Sequence, residues 1–215
     1  YNFKSTIDYT KFDLKIKNLG SKNVSINNIS LKLIGKYNVL NATAAIALCL
    51  NLGLKMKIIR KALENFSGVQ RRLTKVFKKN KIEFYDDYAH HPTEIKCVIE
   101  AFRKVAPLRK IIIIFQPHRY SRIKALNSEF ASCFKKTNQV ILCPVYAAGE
   151  TIDENYDHIK FAQLISKFSK TQVVNVKDEL DITKYFRKNL SDDGIVIGMG
   201  AGSISKWMHN LKNNL

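Results

Sequence analysis

Hydrophobic and polar residues alternate along the first part of the chain. Phe12, Leu14 and Ile16 are separated by charged residues, and Val24 with Ile26, then Ile29, Leu31 and Leu33, sit among mostly polar neighbours. A period of two predicts half-buried strands, with Asn18-Leu19-Gly20-Ser21 as the turn between two of them. The pattern then lengthens. An Ala-rich stretch opening at Asn38 and running to about Leu52 is predicted helical, stopped by Gly53. A second helix follows from Met56 to Asn65. Phe66-Ser67-Gly68-Val69-Gln70-Arg71-Arg72 breaks the periodicity and reads as a hinge into a new domain.

Beyond the hinge, short apolar runs and helical periodicity alternate. Strands are expected near residues 73–77, 82–86, 111–115, 139–143, 172–176 and 194–198, and helices near 93–105, 123–135, 158–168, 178–188 and 203–212. This alternation predicts an α/β fold with a doubly wound, mostly parallel sheet. Ile111-Ile112-Ile113-Ile114-Phe115 carries no charge and suits a central strand covered on both faces.

Composition narrows the function classes. At 46% hydrophobic content the chain is not disordered. The apolar stretch Ala44–Leu50 is far too short to cross a bilayer. No signal peptide is visible, so a cytoplasmic protein is expected, although the chain does not begin with Met. Cys49, Cys97, Cys133 and Cys143 are scattered without a C-x-x-C pair, which fits free thiols rather than a zinc site. The net charge of +18 comes mostly from Lys spread over almost every predicted element. A nucleic-acid face would concentrate its cations and interleave aromatics, so no nucleic-acid partner is expected.

Chemistry gathers where strands hand over to helices. Ile82-Glu83-Phe84-Tyr85 leads into Asp86-Asp87-Tyr88-Ala89-His90-His91-Pro92-Thr93-Glu94, where Pro92 suits the first turn of a helix. The central strand leads into Gln116-Pro117-His118-Arg119-Tyr120-Ser121-Arg122, again read as a helix opened by a proline, with Arg119 and Arg122 on one face near its N-terminus. Carboxyl ends of strands in an open α/β sheet are where ligands bind. Asn38 and Asn41 carry amides able to read an adenine edge, Asn41 standing one turn inside its helix. Gly35-Lys36 is no phosphate-binding loop, because Tyr37 replaces the required Ser or Thr. Gly198-Met199-Gly200-Ala201-Gly202-Ser203 fails the dinucleotide fingerprint in spacing and position, and reads as a tight turn with Ser203 capping the last helix.

The stretches GKYNVLNATAAIA, FSGVQRR, DDYAHHPTEI, FQPHRYSR, VYAAGE and GMGAGSI, in this order and spacing, resemble the Mur ligases, in the branch that attaches L-alanine to UDP-N-acetylmuramate. The resemblance covers the chain from Gly35 onward. It implies a family of three domains: one for the UDP-sugar, a central P-loop ATPase, and a C-terminal Rossmann-like domain. Residues 1–69 would be the end of the central domain and 70–215 the complete C-terminal one. The P-loop lysine, the magnesium ligands and the UDP site would lie elsewhere, so the chain is expected to be a fragment that does not turn over alone, with no catalytic residue assigned in it.

The implied reaction is ATP-dependent ligation. The sugar's lactyl carboxylate attacks the γ-phosphate of ATP, with Mg2+, and L-alanine then displaces phosphate from the acyl phosphate. Carried over by motif, Asn38, Asn41, Arg71 or Arg72, and Asp87 would contact ATP, Asp87 through the ribose hydroxyls. Tyr88, His90, His118, Arg119 and Arg122 would surround L-alanine. Tyr37 departs from the His usual before that Asn.

Plainer roles compete at several positions. His91 could cap the following helix, Asp86 could pair structurally with an arginine, and Arg119 and Arg122 could be solvated helix residues. Two other classes of function are set beside the ligase. A metal-dependent phosphoesterase could use Asp86, Asp87, His90, His91 and His118, and a nucleotide-binding module would need no catalysis.

Overall fold

The computed structural model describes residues 2–19, 22–189 and 193–215, and the chain divides into two units: Tyr1–Gly68 with Glu100–Pro107, and Val69–Ile99 with Leu108–Leu215. In the first, β1 (Asn2–Ser5), β2 (Thr10–Leu19) and β3 (Lys22–Leu31) form an antiparallel sheet in that order. The expected turn at 18–21 includes Gly20 and Ser21, which lie outside the described residues. Phe12 pairs with Ile29 and Leu14 with Ile26, so β3 spends two residues where β2 spends Asp13 alone. Asn28 absorbs the extra residue at φ 56 and donates its N–H to Asp13 Oδ1 at 2.8 Å. This bulge keeps Ile26 and Ile29 both buried although they are three apart.

The helices α1 (Lys36–Asn51) and α2 (Met56–Asn65) cover that sheet, burying Val39, Ala42, Ile46 and Ile59. Gly53 ends α1 at φ 83. Its N–H donates to Leu50 O and that of Leu54 to Cys49 O, which satisfies two orphan carbonyls.

The second unit holds six strands in the order β4-β5-β9-β6-β7-β8. They are β4 (Thr74–Lys79), β5 (Lys81–Asp87), β6 (Ile111–Phe115), β7 (Gln139–Leu142), β8 (Gln172–Asn175) and β9 (Asp193–Met199). Only β4 runs antiparallel to its neighbour. Between the strands come α3 (Pro92–Val105), α4 (Tyr120–Ala125), α5 (Asn127–Cys133), α6 (His158–Ser169), α7 (Glu179–Asn189) and α8 (Ile204–Asn214). The single helix expected near 123–135 is thus two, parted at Leu126, whose φ of −121 leaves the helical region.

One face of the sheet presents Ile82, Phe84, Ile112, Ile114, Ile141 and Val196 to Ile182 and Phe186 of α7 and Ile204, Met208 and Leu211 of α8. Phe84 stacks on Phe77 with ring centroids 4.1 Å apart and meets Phe186 edge-on at 5.7 Å. Burying one such ring stabilises the fold by roughly 1.5–3 kcal/mol. Gly198 of β9 lets α8 approach, since a Cβ there would stand 2.3 Å from Met208 Cγ.

At the start of β5, Arg109 donates to Glu83 (2.8 Å), Asp193 (3.0 Å) and the carbonyls of Lys81 and Gly194. Burial pushes the Glu83 carboxyl up, but Lys75 and Arg109 outweigh it and hold the group below its ordinary value. That network locks the edge where the parallel strands begin. Their opposite, carboxyl ends are left for function. None of the described helices is long and apolar enough to cross a membrane.

Candidate functional site

Because β5, β9, β6 and β7 are parallel, the segments after Asp87, Met199, Phe115 and Leu142 leave the same edge of the sheet. Asp87 closes β5 with 3% of its surface exposed. Its Oδ2 accepts from the N–H of Leu73 and its Oδ1 from that of Ala89, both at 2.8 Å. Burial pushes its carboxyl up to about 6, against the opposing pull of those two N–H groups and of Arg72.

The segment Asp87 grips is strained. Arg71 and Leu73 hold φ values of 60 and 50, uncommon for residues with a side chain. They are fixed by the Asp87 bond and by Tyr88 N–H donating to Arg71 O at 2.7 Å. The hinge-like stretch of the sequence is therefore a pinned corner at this end. Arg71 lays its guanidinium 4.6 Å from the Tyr88 ring centroid and donates to Gly200 O at 2.7 Å. Arg72, exposed, lies 5.8 Å from the same ring. Among the described residues, Arg71 Nε and Asp86 Oδ1 are buried polar atoms without a hydrogen-bond partner.

Among the described residues no arginine pairs with Asp86. Its Oδ2 accepts from the Ser205 hydroxyl of α8, because the parallel register sets the end of β5 beside β9 and the helix that follows it. His91 is a cap, as the plainer reading had it: its Nδ1 accepts from Thr93 N–H at 3.2 Å. Glu94 returns the favour, its Oε2 accepting from the N–H of His90 (3.0 Å) and of His91 (3.2 Å). This is a capping box with histidine in the leading place.

Four aromatic rings then stand in an unbroken row. Tyr88 and His90 meet edge-on at 5.2 Å, His90 and His118 lie tilted at 5.7 Å, and His118 stacks on Tyr146 at 5.6 Å. A parallel bridge between His118 and Tyr146 continues the β6–β7 pairing past the strands. Arg71 and Arg72 stand at the Tyr88 end of the row, and Arg122 stands at its third ring. Beyond His118, Arg122 Nη1 donates to His118 Nδ1 at 3.1 Å. Burial, Arg122, His90 and Arg119 all hold the His118 imidazole below its ordinary value, only Glu150 opposing, so the ring is neutral near pH 7.

Arg119 and Arg122 do not share a helical face. α4 begins only at Tyr120, not at Pro117, and Arg119 precedes it at φ 71. The cause is tertiary: Arg119 N–H is drawn to Tyr146 O at 2.9 Å. Arg119 is exposed, and no hydrogen bond or ion pair engages its guanidinium among the described residues. Arg122 is half-buried on His118. Glu150 accepts from the N–H and the hydroxyl of Ser121 at the start of α4.

Ser203 is likewise no cap. Its hydroxyl accepts from Gln116 Nε2 at 2.9 Å, while Gln116 Oε1 accepts from Ile204 N–H at 3.0 Å. Gln116, reached through the central strand, does the capping from a distance. A Cβ on Gly202 would stand 2.5 Å from Tyr146 Cγ and 2.6 Å from Gln116 Oε1. Gln116 and Tyr146 were absent from the sequence-based site list, although both sit in stretches that carry the resemblance. The clue available was position, one residue past a central strand for Gln116.

Asn38 and Asn41 belong to the first unit. Asn38 Nδ2 donates to Ile34 O at 2.8 Å, so part of its amide is spent on the start of α1, and Asn41 is exposed on that helix. The metal reading fares badly: among the described residues no group of three His, Cys, Asp or Glu is placed to hold an ion.

The strand ends that bear the aspartate pair and the aromatic row fall within residues 71–202, which match the Mur ligase, glutamate ligase domain. The chain belongs to the Mur ligase family. It is 45% identical over 98% of its length to a UDP-N-acetylmuramate–L-alanine ligase of Pelagibacter ubique and 37% identical over 96% to that of Bartonella tribocorum. It covers 45% and 43% of those proteins, so the chain spans less than half the length of these relatives. The crystal structure of UDP-N-acetylmuramate-alanine ligase from Thermotoga maritima superposes with a TM-score of 0.77 at 25% identity, covering 99% of this chain and 44% of that one.

Proposed function

We propose that the chain supplies the nucleotide-closing and amino-acid-binding part of an ATP-dependent ligase that joins L-alanine to UDP-N-acetylmuramate for peptidoglycan synthesis. The observation that carries this reading is the Tyr88–His90–His118–Tyr146 row, with Arg71 on its first ring and Arg122 on its third. Arg119, with its planar fork unengaged, is assigned the amino-acid carboxylate, alongside Arg122 and His118. Arg71, Arg72 and Asp87 are assigned the nucleotide, Asp87 through the acceptor positions that its two backbone bonds leave. No G-x-x-x-x-G-K-[ST] occurs in these 215 residues, so the phosphate cradle and the magnesium ligands are assigned to residues outside them. Arginines beside the aromatic row suit a reaction that builds charge on oxygens throughout.

The test joins this chain to the remaining N-terminal part of the Pelagibacter relative and measures L-alanine-dependent ADP release with UDP-N-acetylmuramate. Activity is expected, and Arg119→Lys should raise the KM for L-alanine nearly as much as Arg119→Ala, because Lys keeps the charge and loses the fork. As a control for folding, resonances of His90 and His118 in the 215-residue chain should shift with L-alanine and not with D-alanine. A folded chain indifferent to both L-alanine and ATP would sink the reading.

A further inference from the structure

His90 and His118 are neighbours with opposite hydrogen-bonding duties. His90 Nδ1 lies 2.9 Å from the Tyr88 carbonyl oxygen and 3.5 Å from Glu94 Oε2. Both are acceptors only, so Nδ1 must carry the proton. In the neutral ring, Nε2 is then a bare lone pair, and no hydrogen bond engages it among the described residues. His118 is the reverse. Its Nδ1 faces Arg122 Nη1, which can only donate, so Nδ1 is the acceptor and the proton sits on Nε2. One ring offers a base and the next offers a donor, with centroids 5.7 Å apart. A zwitterionic amino acid presents the matching pair, an ammonium and a carboxylate.

Resting on the ligase reading above, we propose that His90 is the general base that takes a proton from the substrate ammonium through Nε2, while His118 donates Nε2–H to the substrate carboxylate. The step balances as follows. The ammonium gives one proton to His90 and becomes a neutral amine with a free lone pair. That pair attacks the carbonyl carbon of the acyl phosphate, forming the C–N bond. The C–O bond to phosphate then breaks, and the departing phosphate accepts the second nitrogen proton. The groups around the base fit the charge it gains. Glu94 from α3 and the Tyr88 carbonyl stand at its Nδ1–H, a second shell that orients and stabilises an imidazolium. Among the described residues its ionisable ring neighbours are Tyr88 and His118, and burial together with the Arg122 cation keeps the His118 ring neutral, so the two histidines do not compete for the proton.

Two measurements test this. Long-range nitrogen–proton NMR of the 215-residue chain near neutral pH should show neutral His90 protonated on Nδ1 and His118 on Nε2. A His90 protonated on Nε2 overturns the proposal. The second uses the chimaera with L-alanine or with hydroxylamine, an amine nucleophile that needs no base at neutral pH and traps the acyl phosphate as a hydroxamate. His90→Gln should lower kcat for alanine by roughly 10²–10⁴-fold and remove the acid limb of its pH profile. It should keep a far larger share of the hydroxamate rate. Equal loss with both nucleophiles, or an acid limb that persists, means His90 only positions substrate. If the unsubstituted chimaera forms no hydroxamate while the NMR pattern is as stated, it is the acyl-phosphate reading that has failed, and this proposal falls with it.

Discussion

Asp87 shows how a single buried side chain ties backbone geometry to ionisation. It is buried at the end of β5, and each oxygen holds a backbone N–H, one of them from the strained corner at Leu73. Burial raises its pKa from 3.8 to about 6, so the folded state prefers the protonated carboxyl. A raised folded value means this contribution is fully present below about pH 4 and lost as pH rises through about 6. The shift of about two units corresponds to about 3 kcal/mol. Asp87→Asn cannot titrate, and it leaves either Leu73 or Ala89 facing an amide donor, at a cost of roughly 1–3 kcal/mol. Urea unfolding of both proteins across about pH 4 to 7 should therefore show the wild type losing stability relative to the variant as pH rises. A constant difference would mean that Asp87 does not change ionisation on folding.

Among the elements, the loop between β9 and α8 is held by Gln116, the residue that follows β6. Gly200 sits at φ 151 with no room for a side chain, since a Cβ would stand 2.7 Å from the Gln116 carbonyl oxygen. Gly200→Ala should destabilise by roughly 1–3 kcal/mol from backbone strain alone, measurable as a lower denaturant midpoint. Gln116→Leu should cost about 1–3 kcal/mol by stranding Ile204 N–H, and it should also disturb Tyr146 through Gly202. Unchanged stability in Gln116→Leu would show that α8 caps itself. Such ties explain what the sequence did and did not disclose. The run Ile111–Phe115 was legible to the residue, because its lack of charge admits only a covered strand. Pro92 announced the start of α3 by local chemistry, while the capping by Glu94 came only with the structure. Arg119 did not announce its left-handed backbone, because the cause is a carbonyl at Tyr146, brought in by sheet pairing. Ser203 looked like a cap for the same reason in reverse: the true cap, Gln116, is distant in sequence. The aromatic row was legible as residues and not as a row, since its members come from three separate strand ends.

For the whole molecule, the charge of +18 is a field rather than a patch, because Lys is spread over nearly every element. Such a field acts on net charge at long range and is screened beyond about 8–10 Å at ordinary ionic strength. The two small ligands proposed here differ in the relevant way. ATP is a polyanion, while L-alanine is a zwitterion with no net charge to be steered. Raising salt from about 0.05 to 0.5 M should therefore weaken ATP by roughly three- to tenfold, and leave the KM for L-alanine nearly unchanged in the chimaera. The arginines at the alanine end should be the less salt-sensitive ones, because Arg122 is half-buried on His118 and a bidentate contact from Arg119 would be short-ranged. Measuring both constants across the same salt series separates these effects. Equal salt dependence for the two ligands would show that the carboxylate is held by diffuse positive charge, and the assignment of Arg119 as a carboxylate fork would then be withdrawn.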